Sequence, residues 1–443
     1  MPGGSRKDFR WPGWTCSSEN GGTALFELTA IATTILAFAL VSKRLADSFL
    51  TPPMVMMAAG AMIYAITGAG SFTKIGNSAI HLLAEITLVL ILFSDAARID
   101  VRTLWRDHTV PSRLLLIGMP LTIGFGAIAV WLMPFGMSWA EAALVAAILA
   151  PTDAALGQSV LSNPNVPVRI RQALNVESGL NDGIAVPVVI VFATIAGLVH
   201  GADGVTEHLA FAIKQIVMGP IAGVAVGWSA ARLIDTSATR GWTTEAFEGS
   251  AILATAALAY LLATISGGNG FISAFAAGLT FGAIIGPRSK FILEFAESEG
   301  QTLAMLSFVI FGAVMLPAAM PHVTWTVVLY ALLSLTLIRH APVAIALSGT
   351  RLSALTVGFL GWFGPRGLAS ILFALLIVEK MDTPATTTIL TITVTTVAFS
   401  IVLHGLTAAP MARRYGKSRS ATDAQAENLP VPEIPSRTGM VRY

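Results

Sequence analysis

Apolar runs long enough to cross a lipid bilayer recur along this 443-residue chain, and they constrain its fold more than any other feature. A helix spans the hydrocarbon layer with about 20 predominantly apolar residues. Charge, proline and glycine punctuation marks thirteen such runs: 24–41, 50–69, 79–97, 113–133, 139–160, 172–199, 205–233, 245–265, 268–286, 299–317, 323–348, 353–379 and 386–409. Hydropathy is weakest in the second and third, where Pro52, Pro53, Glu85 and Asp95 interrupt it. The pattern predicts an all-α polytopic membrane protein of about thirteen transmembrane helices. Only 12% of the residues are charged, half of the roughly 25% that a soluble chain carries, so an ordinary soluble enzyme is excluded. Forty glycines and 22 prolines suit a membrane bundle. A formal charge of +2 makes no global field, so no nucleic-acid partner is expected. Cys16 is the single cysteine, which excludes an internal disulfide and a Cys-based zinc site.

Lysine and arginine in the connections set the expected orientation. One side carries Lys43, Arg44, Arg98, Arg102, Arg106, Arg113, Arg169, Arg171, Arg232, Arg240, Arg288, Lys290 and Arg351; the other carries Lys74, Lys214 and Lys380. This bias puts the C-terminus in the cytoplasm, with Arg6, Lys7 and Arg10 the one discordant cluster. Residues 1–23 read as an extracytoplasmic segment, 24–409 as the membrane domain and 410–443 as a disordered cytoplasmic tail. The first run has the character of an uncleaved signal anchor.

Ionisable residues at depth in a membrane usually mark pathways or pairs. Asp95, Asp153, Glu177, Asp182, Arg339 and Arg366 stand at depth. Glu245, Glu248 and Lys380 sit at span ends, where snorkelling or solvation accounts for them. His404 reads as a hydrogen-bonded packing residue, and His340 follows Arg339 without a metal-ligand neighbour.

Two spans are also broken in pattern. In the fifth, Pro151 removes a helix donor and is followed by Thr152 and Asp153. In the twelfth, Gly361, Gly364, Pro365 and Gly367 surround Arg366. Interrupted apolar segments at matching places in two halves point to a transporter site, and a separation of seven spans suits two six-span inverted repeats. Half-helix ends carry partial charge, which Asp153 and Arg366 are placed to neutralise. In the sixth span, Glu177 and Asn181 share one helix face while Ser178 and Asp182 share another about 100° round. A hydroxyl and a carboxylate side by side suit a hard, partly dehydrated cation or a proton. Pro187 frees the carbonyl of Gly183, so local irregularity is expected there.

The run LAPTDAALGQSV, then NVESGLNDGIAV, then GPRGLAS resembles the monovalent cation:proton antiporter-1 family of NhaP- and NHE-type sodium–proton exchangers. The resemblance covers residues 24–409, and its most specific element is Glu177, Ser178, Asn181 and Asp182. It implies two crossed discontinuous helices (spans 5 and 12), a core rocking against a dimer domain, and a homodimer. Asp182 matches the ion-binding aspartate, Ser178 a coordinating hydroxyl and Thr152 a backbone-oxygen position, so these three would hold Na+. Glu177 and Arg366 match a structural ion pair, with Asn181 and Asp153 in support. Asp95 falls where the family often has an acid. Ala154 stands where proline is usual, and Pro365 where a leucine-like residue is usual, which alters the geometry of the breaks.

The Asn181-Asp182 form implies electroneutral exchange of Na+, or Li+, for H+ in the cell membrane, with no organic cofactor. A potassium-selective or electrogenic exchanger is the nearer rival. An intramembrane aspartyl protease built on Asp153 and Asp182 lacks the expected Gly-x-Gly-Asp signature, since Asn181 precedes Asp182. A channel would show a charged ring or filter motif that this sequence does not contain.

Overall fold

The computed structural model describes residues 20–45, 48–68, 77–99, 109–153, 156–161, 163, 166–197, 205–285, 290–378 and 384–419. Lys74, Arg102, Arg106, Arg288, Lys380 and the stretches 1–19 and 420–443 lie outside the described residues. Among the described residues all regular structure is helical. Among the described residues nine helices are long and apolar enough to cross a membrane, and three shorter apolar helices accompany them. The chain is a multi-pass membrane protein.

In chain order the helices are α1 (Asn20–Leu45), α2 (Pro52–Thr67), α3 (Asn77–Ala97) and α4 (Thr109–Leu132). Next come α5 (Trp139–Ile148), α6 (Gln158–Leu161), α7 (Val168–Ile195), α8 (Val205–Thr239), α9 (Glu245–Ile265) and α10 (Gly270–Ile285). The last are α11 (Lys290–Ile310), α12 (Trp325–Ala346), α13 (Ala354–Trp362), α14 (Leu368–Val378) and α15 (Pro384–Arg419). Two π turns, Leu114–Gly118 and Phe311–Met315, directly precede Pro120 and Pro317. A proline ring clashes with the carbonyl four residues back, and widening the preceding turn relieves that clash without ending the helix.

Local chemistry explains where α5 starts and stops. Ser138 and Glu141 form a reciprocal capping box, with the Ser138 amide donating to Glu141 Oε2 at 2.8 Å. The helix ends at Ile148, three residues before Pro151, and the chain is non-helical through Asp153. Within the run 139–160 expected as one span, the described residues form α5, a non-helical stretch at 149–153 and the single turn α6. Every residue from Ala142 to Ile148 is buried, which explains why α5 is apolar on all faces. Small residues set other distances: a Cβ on Gly278 or Gly282 would strike the backbone of Phe93 or Ala97, so α10 lies directly on α3.

α7 stays helical through Pro187, whose missing N–H leaves the Gly183 carbonyl without its helical donor. One expectation needs correction. The last helix continues to Arg419 instead of yielding to a disordered tail at residue 410. Ala408, Ala412 and Tyr415 fall on one face and are buried; Tyr415 stacks on Phe359 at 4.1 Å and hydrogen-bonds Thr356 at 2.9 Å. That apolar seam extends the helix beyond the last strongly hydrophobic run.

Candidate functional site

The two interrupted segments, 149–153 and 363–367, meet inside the bundle and complete each other's backbone bonding. The Asp153 amide donates to the Pro365 carbonyl at 2.8 Å, and Asp153 Oδ2 accepts from the Leu368 amide at 2.9 Å. Asp153 thus caps the N-terminal, positive end of α14. In the opposite sense, Arg366 Nη1 donates to the carbonyls of Ala150 (2.6 Å) and Pro151 (3.4 Å), just past the C-terminal, negative end of α5. Ser370 Oγ donates to the Ile148 carbonyl at 2.8 Å. Each half-helix end therefore meets a charge of the sign that stabilises it, an arrangement worth up to about 2 kcal/mol per end when partly buried. Gly367 permits this approach, because a Cβ there would overlap the Asp153 side chain.

α7 packs its polar turn against the first break. Ser178 Oγ donates a short hydrogen bond to the Thr152 carbonyl, and Asn181 Nδ2 donates to Thr152 Oγ1 at 2.7 Å. Thr152 is held through both its backbone and its side chain. Asn181, expected to support the ion pair of Glu177, is committed to Thr152 instead. All four residues of the Glu-Ser-x-x-Asn-Asp pattern are buried.

The ion pair expected between Glu177 and Arg366 is replaced by another. Glu177 Oε1 accepts from Arg339 Nη2 at 2.5 Å, and both side chains are about 2% exposed. Arg366 is drawn to the orphan carbonyls beyond α5, and its Nε and Nη2 make no hydrogen bond to Glu177. The physical reason lies in the break. Backbone carbonyls exposed by an interrupted helix in a low-dielectric interior need donors as urgently as a carboxylate does. Arg339 was legible as a deep charge, but its partner was not. Ser370 and Ser400 gave no signal, since a hydroxyl in an apolar span usually bonds its own helix.

A cavity of about 290 Å³ reaches this crossing. Asp182, Asp153 and Asp95 line it together with Ser94, Arg98 and Gln301, while Leu88, Phe308 and Leu372 form apolar walls. Ser42 of α1 and Pro52 of α2 also line it, so it extends from the crossing towards the α1–α2 connection. Asp95 therefore shares a cavity with Asp182, and Arg98 lies one turn further along the same chain segment.

An all-helical membrane bundle with two interrupted segments joined at buried charges, and a carboxylate-lined cavity reaching them, is the form of an ion transporter. Residues 30–414 match the family model described as "Sodium/hydrogen exchanger, transmembrane", and the chain belongs to this monovalent cation:proton antiporter family. It is 26% identical over 355 residues to the K(+)/H(+) antiporter NhaP of Alkalimonas amylolytica, across 79% of this chain and 58% of that protein. It is 27% identical over 304 residues to the Na(+)/H(+) antiporter NhaG of Bacillus atrophaeus, across 67% of this chain and 56% of that protein. The chain thus spans a little over half the length of the curated relatives it matches. Two structures of the sodium proton antiporter MjNhaP1 from Methanocaldococcus jannaschii share its fold. Their TM-scores are 0.69 and 0.71 at 19% and 20% identity, over 89% and 90% of this chain and 99% and 98% of theirs.

Proposed function

We propose that this protein is a secondary transporter, not an enzyme, exchanging Na+ (and Li+) for H+ across the cell membrane by alternating access. The observation that carries the reading is the cavity that brings Asp182 to the crossing of the two interrupted segments. Asp182 would hold a proton or a cation in turn, with Ser178 Oγ and the Thr152 carbonyl as further oxygen ligands and Asp95 across the cavity. Hard monovalent cations favour such oxygen donors, and a carboxylate that must be shared between two cargoes couples their movements.

The Asn181-Asp182 form in the family resemblance supports electroneutral, one-for-one exchange. Glu177 and Asp153 are offset at the crossing by Arg339 and Arg366, each within a hydrogen bond of a carboxylate or a helix end. Asp153, holding the Leu368 amide, is committed as a charged cap, which does not suit a protease dyad that must share a proton. We further propose thirteen spans in two inverted repeats, with α5–α6 and α13–α14 as the crossed discontinuous pair, a cytoplasmic C-terminus, and a homodimer. The family resemblance and the arginine-rich connections support this arrangement.

A second reading, K+ as the cargo, is favoured by the names of several relatives near 26% identity. Proteoliposomes with an imposed pH gradient separate the two. Na+ and Li+ are expected to collapse the gradient at lower concentration than K+, at a rate unchanged when valinomycin clamps the voltage. Preference for K+ would reassign the cargo. A voltage-dependent rate would require a second coupled carboxylate, Asp95 first.

A further inference from the structure

Lipid cannot satisfy the backbone groups that an interrupted helix leaves open, so each must find a partner within the protein. Asp153 serves one side of the 363–367 segment, through the Pro365 carbonyl and the Leu368 amide. The other side faces α15. There the Arg366 amide donates to Ser400 Oγ at 2.7 Å, and the carbonyl of Trp362, the last residue of α13, lies 2.9 Å from His404 Nε2. Ser400 and His404 are one helical turn apart, fully buried, and in contact through Ser400 Oγ and His404 Nδ1 at 3.2 Å.

His404 meets a carbonyl at each ring nitrogen, Trp362 at Nε2 (2.9 Å) and Ser400 at Nδ1 (3.0 Å), with Ser400 Oγ also beside Nδ1. A carbonyl only accepts, so the single hydrogen of a neutral ring serves one of the two, and on Nε2 it ties the end of α13. Ser400 Oγ accepts from the Arg366 amide, and with the ring hydrogen on Nε2 its own hydrogen can turn to Nδ1. A second ring proton would add a cation to a buried region that already holds Arg339 and Arg366. The indole of Trp362 closes the arrangement: its ring lies 5.0 Å from the imidazole, and its Nε1 donates to Thr407 Oγ1 at 2.9 Å.

We propose that His404 and Ser400 are positioning residues that clamp the break from the side opposite Asp153. A neutral imidazole ties the end of α13 to the Arg366 amide and so holds the arginine that secures the Ala150 and Pro151 carbonyls beside Thr152. The clamp itself is read from hydrogen bonding; its effect on transport rests on the exchanger reading above. His404 on this account carries no transported proton.

The test compares His404→Leu, His404→Gln and Ser400→Ala in the full chain, reading two quantities. The first is hydrogen exchange of the amides from Gly364 to Leu368 in the purified protein. The second is the apparent KM for Na+, Li+ and K+ and its pH profile in proteoliposomes. Losing a buried hydrogen bond should speed amide exchange and raise KM about tenfold in His404→Leu, with turnover changed less than KM. Glutamine can supply an N–H to the Trp362 carbonyl, so His404→Gln should restore both values and keep the wild-type pH profile. Wild-type exchange and KM in His404→Leu would overturn the proposal. So would a shifted pH profile in His404→Gln, which would make the ring a proton carrier. If His404→Leu does not fold, Ser400→Ala removes only the hydroxyl, and wild-type amide exchange in that variant overturns the clamp. Absence of cation-dependent flux in the unsubstituted protein would defeat the exchanger reading alone, because amide exchange still reports on the clamp.

Discussion

Asp182→Asn is expected to abolish cation-dependent proton flux, by at least about a hundredfold, in a protein that still folds. Asparagine keeps the size of the side chain and can still accept a hydrogen bond, but it cannot exchange a proton for a metal ion. An interaction whose loss raises a barrier by about 1.4 kcal/mol costs tenfold in rate, and deleting the charge that attracts a partly dehydrated cation removes several times that. Size-exclusion profile and thermal stability should remain close to wild type, because asparagine is nearly isosteric with aspartate and fills the same space. Ser178→Ala should be milder, weakening apparent cation affinity several-fold, since water can replace one neutral ligand. Its hydroxyl also donates to the Thr152 carbonyl, so its loss frees that carbonyl as well. Near-normal flux in Asp182→Asn, measured with a pH-sensitive dye in proteoliposomes, would remove Asp182 from the ion path.

The largest stability effects are expected at Glu177 and Arg339. The two are joined at 2.5 Å and almost wholly buried, where removing one partner strands the other's charge. Each single change, Glu177→Ala or Arg339→Ala, should cost about 3–5 kcal/mol and lower expression. The double variant should lose much less than the sum, because no charge is left unpaired. The same cycle run on Glu177 and Arg366 should show a weaker coupling, since Arg366 is bonded to carbonyls of the opposite segment. Thermal unfolding in detergent reads all of these. Additive losses for Glu177 and Arg339, together with strong coupling of Glu177 to Arg366, would reverse the assignment of partners.

The contrast between those two arginines shows what a sequence can disclose. The all-helical membrane class follows from runs of apolar residues, which report on the solvent and need no tertiary knowledge. The breaks at Pro151 and around Arg366 were equally legible, because proline and glycine act on the backbone locally. Placing Asp153 and Arg366 at half-helix ends needed only the direction of the helix dipole, and the contacts with Leu368 and Ala150 agree with it. Pairing Glu177 required knowing which of two deep arginines came closer, and that depends on how α12 packs against α7. Spacing along the chain carries no such information. The helical extension to Arg419 was hidden for a related reason. Arg413, Arg414 and Lys417 make the segment look solvated, while Ala408, Ala412 and Tyr415 form a narrow buried seam between them. The roles of Ser400 and His404 depend on backbone groups exposed by a break elsewhere in the chain.

Proton release on cation binding tests the central claim most directly. Purified protein in weakly buffered detergent solution, titrated with NaCl, LiCl and KCl against a choline control, is followed by a pH electrode and by calorimetry. If one carboxylate alternates between cargoes, close to one proton should appear for each cation bound at a pH where Asp182 is protonated, and none in Asp182→Asn. Cation binding without proton release, or release that persists in Asp182→Asn, would contradict a shared site at Asp182.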